Sequence, residues 1–135
     1  MKRILVGFDG SEGAEKALNK AMTLIDSEGE LFILAVTPSG SDRMFLDEET
    51  SKNLKKKASF LIDSLVSDLG EHGFSIKGLV MEGDAPSVII DVANRLDVDL
   101  IVLGTKGFSK IGRFLIGGVA NKVIQYANKP VMVVR

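Results

Sequence analysis

Gly104, Gly107, Gly117 and Gly118 bracket a segment that also carries Lys106, Lys110 and Arg113. Five glycines fall within the fifteen residues from Gly104 to Gly118, after the apolar run Leu100–Leu103 and before a helical pattern. Glycine lets backbone amides approach a ligand closely and permits positive φ. Amides gathered at a helix N-terminus favour phosphate, aided by the helix dipole. The alternative is a plain glycine-rich connection with solvated charges. The P-loop pattern Gly-x4-Gly-Lys-Ser/Thr is not met, because Gly112-x4-Gly117 continues as Gly118-Val119. The dinucleotide fingerprint Gly-x-Gly-x-x-Gly is absent too, since Gly7, Gly10 and Gly13 stand three apart. What remains is Gly-x2-Gly-x9-Gly at Gly104, Gly107 and Gly117.

Asp9 follows the apolar run Ile4–Phe8 and precedes Gly10-Ser11. Its carboxylate either meets a ligand at the end of a strand or organises the turn into the next helix. Other chemistries are excluded by composition. There is no cysteine, hence no disulfide, thiol nucleophile or Cys-ligated metal. His72 is the single histidine, so no multi-histidine metal site can form in one chain. It reads as a cation suited to a helix end. Lys plus Arg number 17 against 18 Asp plus Glu, a formal charge of -1, which gives no electrostatic case for DNA or an anionic membrane.

The elements that must hold these residues alternate along all 135 positions, a length that fits one domain spanning 1–135. Ile4–Phe8, Leu31–Val36, Phe74–Met81, Leu100–Leu103 and Val131–Val134 read as strands. All but the loosely alternating third are short continuous apolar runs, as expected of strands buried on both faces. Gly78 is a weak point in that third strand. Between the strands lie helical stripes: Ala14, Ala17, Leu18, Ala21, Met22 and Ile25, then Leu54, Ala58, Leu61, Ile62, Leu65 and Leu69. Val88, Ile89, Val92, Ala93 and Leu96 form a third, and Val119, Val123, Ile124 and Ala127 a fourth. Ser11 and Asp84 are suited as N-caps, Pro86 fits a first turn, and Gly73 is expected to end the second helix. Thr37–Arg43 reads as loop, and Lys55–Lys57 as a solvated flank. Asp9 interrupts the apolar start too early for a signal peptide, and Leu31–Val36 is too short to span a bilayer. The expectation is a cytoplasmic protein.

Strict strand–helix alternation implies right-handed crossovers and a parallel sheet covered on both faces. Ligands of such sheets bind beyond the carboxyl ends of the strands, where strand order reverses. That places any site in Gly7–Ser11, Val36–Pro38 and Gly104–Gly118.

Several of these motifs together resemble the universal stress proteins. The resemblance spans nearly the whole chain: Ile4–Ser11, Val80–Asp84, Asp99–Gly107, Gly117–Val123 and Pro130–Val134. It implies an α/β fold of the adenine nucleotide alpha hydrolase-like kind. This is a doubly wound five-stranded parallel sheet of order 3-2-1-4-5, with four helices on two faces. It implies a nucleotide-binding regulatory or stress-response protein whose ligand is ATP, AMP or another adenine nucleotide, with or without Mg2+, and no fast catalysis. By the same resemblance Asp9 lies at the adenine and Val36 lines the base pocket, although Val36 also reads as plain core. Gly104, Gly107 and Gly117 are the motif glycines, and Leu103, Lys106, Gly118 and Val119 are neighbouring contact positions. The motif's Ser/Thr is replaced by Gly118, and a second hydroxyl position by Ala120. A lost hydrogen bond to a charged oxygen is worth about 1.5–3 kcal/mol. The resemblance also implies a homodimer through the fifth strand, Val131, Met132, Val133 and Val134. The competing readings are a ligand-free dimeric interaction module and a slow ATP hydrolase. A pyrophosphatase Ser-Gly-Gly-x-Asp-Ser motif is not met by Asp9-Gly10-Ser11-Glu12, and a phospho-receiver lacks its acidic cluster and its lysine.

Overall fold

The computed structural model describes residues 1–39, 47–105 and 117–135. In chain order the elements are β1 (Arg3–Gly7), α1 (Glu12–Leu24), β2 (Glu30–Thr37), α2 (Glu48–Leu69) and β3 (Ser75–Glu82). They continue with α3 (Ala85–Leu96), β4 (Leu100–Gly104), α4 (Gly118–Tyr126) and β5 (Val131–Val134). The strands form one five-stranded sheet in the order β3-β2-β1-β4-β5, with every pair parallel. This is the expected doubly wound topology. Its strand order reverses beside β1, between the crossovers to β2 and to β4.

The continuous apolar runs arise because successive residues of a strand feed different cores. Ile4, Val6, Leu31, Ile33, Leu100 and Val102 point to the face that α1 and α2 cover. Leu5, Phe32, Leu34, Ile101 and Leu103 point to the face that α3 and α4 cover. Ile4, Leu5 and Val6 are each 0% exposed, so β1 lies at the centre of both cores. The helix starts follow the capping logic. Ala14 N donates to Ser11 Oγ at 3.1 Å, and the Ser87 hydroxyl donates to Asp84 Oδ2 at 2.7 Å. Pro86 sits in the first turn of α3.

Gly78 has a packing cause. A Cβ there would overlap Cγ2 of Ile62, so its absence lets α2 settle onto β3.

Two local expectations are corrected. The second helix ends at Leu69 with Gly70 as its cap at φ 68°, three residues before Gly73. Gly70 supplies the positive φ that ends the helix first, and Gly73 is needed elsewhere, where a Cβ would stand 2.9 Å from the Ser27 carbonyl oxygen. His72 still serves the helix end: its Nε2 donates to the Leu69 carbonyl at 2.8 Å, and its ring stacks on Phe74. In α4, Ile124 is 44% exposed rather than inward, while Ala120 at 3% is buried. The helix is centred on Ala120, Val123 and Ala127, which puts Ile124 at the rim of the stripe.

Candidate functional site

Helix α1, which follows β1, lies on one face of the sheet and α4, which follows β4, on the other, with a crevice between the two strand ends. A pocket of about 200 Å³ occupies it. Asp9, Val36, Leu103, Gly104 and Val119 all line this pocket, drawn from four separate parts of the chain. Leu103 is buried at 4% exposure, Val36 and Val119 are half-buried, and Asp9 stands exposed at the rim. Apolar walls with a single carboxylate at the mouth suit a flat, largely apolar ring that carries a hydrogen-bond donor. The volume is below the roughly 300–1,000 Å³ of sites that enclose a whole drug-sized ligand, so the described walls have room for only part of one.

Asp9 also organises its turn. Its Oδ1 accepts from Ser11 N at 2.9 Å, and Gly10 between them takes φ 84°. The turn role of Asp9 is thus met by one carboxylate oxygen, and its side chain lies exposed at the pocket rim. Gly117 is the N-cap of α4, with no side-chain hydrogen bond at that end. The first backbone bond of the helix runs from Asn121 N to Gly117 O at 2.9 Å. The amides of Gly118, Val119 and Ala120 precede it and have no acceptor within the helix. Gly117 and Gly118 lie beyond the pocket lining, at the helix end next to Val119. Lys106 and Gly107 lie outside the described residues, as do Lys110 and Arg113.

Some lining residues were not anticipated. Gly7, Phe8, Ser11 and Thr105 fall within the loops singled out from the sequence, but Ala85 and Ile89 come from α3. Ile89 belongs to the buried stripe of that helix, and the stripe's first turns also line the crevice. Gly7 admits Leu103, whose Cδ2 would lie 2.6 Å from a Cβ placed there.

At the opposite, amino-terminal end of the sheet a wider depression involves Lys2, Arg3, Asp26, Glu30, Asp97 and Asp99. Several of its charged groups are bonded within it. The amino terminus meets Asp26 at 2.6 Å, Arg3 meets Glu30 at 3.2 Å, and Asp99 Oδ2 accepts from Lys2 N and Arg3 N at 2.8 and 3.0 Å.

A parallel sheet of order 3-2-1-4-5 with a crevice at its carboxyl ends defines the doubly wound α/β class. Within that class the family is specific: the family model described as Universal stress protein family matches residues 1–135. The chain belongs to that family. Universal stress protein YxiE of Bacillus subtilis is 29% identical over 98% of this chain and 98% of its own length. The solved structure of the protein MJ0577 has a TM-score of 0.81 and 30% identity, covering 98% of this chain and 94% of that one. More distant structures share the fold. A family protein from Arabidopsis thaliana with AMP bound has a TM-score of 0.70 at 18% identity, covering 99% of this chain and 91% of that one. A universal stress protein in complex with cAMP has a TM-score of 0.69 at 20% identity, covering 99% and 97%.

Proposed function

We propose that the protein binds an adenine nucleotide in the crevice beside β1 and acts as a regulatory binder. The observation that carries this reading is the convergence of Asp9, Val36, Leu103, Gly104 and Val119 on one pocket. The adenine ring lies between the apolar walls, and the second oxygen of Asp9 accepts from the base or sugar. The phosphates run toward the N-terminus of α4, where the amides of Gly118, Val119 and Ala120 and the helix dipole favour negative charge. Lys106 and Gly107, next in sequence after Thr105, are assigned to the same phosphates. The AMP and cAMP held by distant relatives support the choice of ligand class.

Mg2+ suits this reading as a companion of the phosphates. Among the described residues no group of three or more carboxylate or histidine side chains could hold a metal. The ion would be held by the ligand's own oxygens, with its charge offsetting theirs.

Isothermal titration with ATP, ADP, AMP and GTP tests the proposal. Micromolar or weaker binding of the adenine nucleotides, with GTP weaker still, is expected. No heat from any of them at millimolar ligand would contradict it.

We also propose a homodimer through β5. The strand is the last of the sheet, and Val131, Met132, Val133 and Val134 are all only half-buried. An apolar edge of this kind invites pairing with a second copy.

A further inference from the structure

Two stretches of backbone meet beside the pocket with no side chain between them. A Cβ on Gly104 would overlap the carbonyl of Gly13 and stand 3.0 Å from Ala14 N. Reciprocally, a Cβ on Gly13 would overlap the carbonyl oxygen of Thr105 and stand 3.5 Å from its carbon. Gly13 is the second residue of α1, in a helix where glycine is the poorest choice after proline. Close approach explains its presence there, and it gives Gly104 a cause that needs no ligand. Thr105 is fixed from its other side as well, because its N–H donates to the Val134 carbonyl at 3.1 Å. The contact therefore joins the two walls of the crevice: Asp9 and Ser11 at the start of α1, Gly104 and Thr105 at the end of β4. Gly13 itself does not line the pocket.

We infer that Gly13 is a positioning residue of the nucleotide site. Its lack of a side chain sets the separation of the Asp9–Ser11 wall from the Gly104–Thr105 wall. The inference rests on the nucleotide reading above. Gly13 touches no ligand and acts through the Thr105 carbonyl.

The test compares Gly13→Ala with Gly78→Ala, a clash of similar closeness on β3, away from the pocket. AMP affinity, thermal midpoint and hydrogen exchange of the Thr105 amide are measured on each. Both variants lose thermal stability. Gly13→Ala is expected to weaken AMP at least tenfold and to speed Thr105 exchange at least tenfold, because the displaced carbonyl strains the bond to Val134. Gly78→Ala keeps wild-type affinity. Wild-type affinity in Gly13→Ala, or an equal loss in Gly78→Ala, would overturn the inference. If the wild type takes up no AMP, the nucleotide reading fails by itself. Thr105 exchange then decides positioning, and an unchanged rate in Gly13→Ala overturns it. If Gly13→Ala does not fold, the wild type serves: AMP should slow exchange of the Glu15 amide, which bonds Ser11 O, together with Thr105. Slowing of Thr105 alone would overturn the coupling.

Discussion

At Asp9 one carboxylate oxygen is held by the Ser11 amide at 2.9 Å, and the other is proposed to meet the ligand. Asp9→Asn separates the two roles. An asparagine oriented with its carbonyl toward Ser11 preserves the turn, but its NH2 then faces the position where the carboxylate accepts. The variant should melt within about 2 °C of wild type, as for a surface change that keeps its hydrogen bond. It should bind AMP about tenfold more weakly, as expected for a lost bond to a charged group. Unchanged affinity in the titration would leave Asp9 with the turn alone. Gly118 offers the complementary experiment. It is the first residue of α4, and a Cβ there meets nothing within 4 Å. A serine fits without strain and supplies the hydroxyl that the family resemblance implies at this place. Gly118→Ser should tighten ATP by roughly tenfold, in line with one added charge-assisted hydrogen bond. Equal or weaker binding would place Gly118 away from the phosphates.

Strands β1, β2 and β4 were legible because burial on both faces leaves apolar runs too short for helices. Helix starts were legible where a side chain caps them, as at Ser11 and Asp84. Helix ends were not: Gly70 and Gly73 offer the same local signal, and only the approach of Gly73 to Ser27 distinguishes them. Of the site, the loop residues could be read because strand order fixes which loops meet. Ala85 and Ile89 could not, since a residue at the start of a buried stripe gives no sign that it also lines a crevice. The Gly13–Gly104 contact was hidden for a similar reason, being a property of two backbones distant in sequence. One inter-element tie has a pH signature. Hydrogen bonds from the backbone N–H groups of Arg3 and Lys2 hold the Asp99 carboxyl below its ordinary value, joining the start of β1 to the start of β4. A depressed folded-state value stabilises the protein above the unfolded value of about 3.9, and the contribution is lost as pH falls through the folded one. The caps Asp47 and Asp84, lowered by Thr50 and Ser87, act with the same sign. Urea midpoints at pH 7 and pH 3 should show wild type losing stability on acidification and Asp99→Asn losing less. An equal loss in both would mean that Asp99 does not contribute to the acid limb.

For the whole molecule, a central β1 opens the crevice and leaves β5 as an edge. Ile101 N donates to Pro130 O and Thr105 N to Val134 O, so alternation turns the N–H and C=O of Val131 and Val133 outward. Val133→Pro deletes one outward donor without touching the ladder to β4, and proline is tolerated on edge strands. Sedimentation equilibrium should give a dimer for wild type and mostly monomer for Val133→Pro, with similar circular dichroism. A wild-type monomer, or a variant that remains a dimer, would rule out the β5 interface. No helix of the described residues is long and apolar enough to cross a membrane. The nucleotide reading itself is tested most directly by where a ligand binds. Titrating AMP into the 15N-labelled protein should shift the amide resonances of Asp9, Val36, Leu103, Gly104 and Val119 together. Those of Lys2, Glu28 and Asp97, at the opposite end of the sheet, should stay in place. Shifts centred on that opposite end, or none at millimolar AMP, would contradict the account.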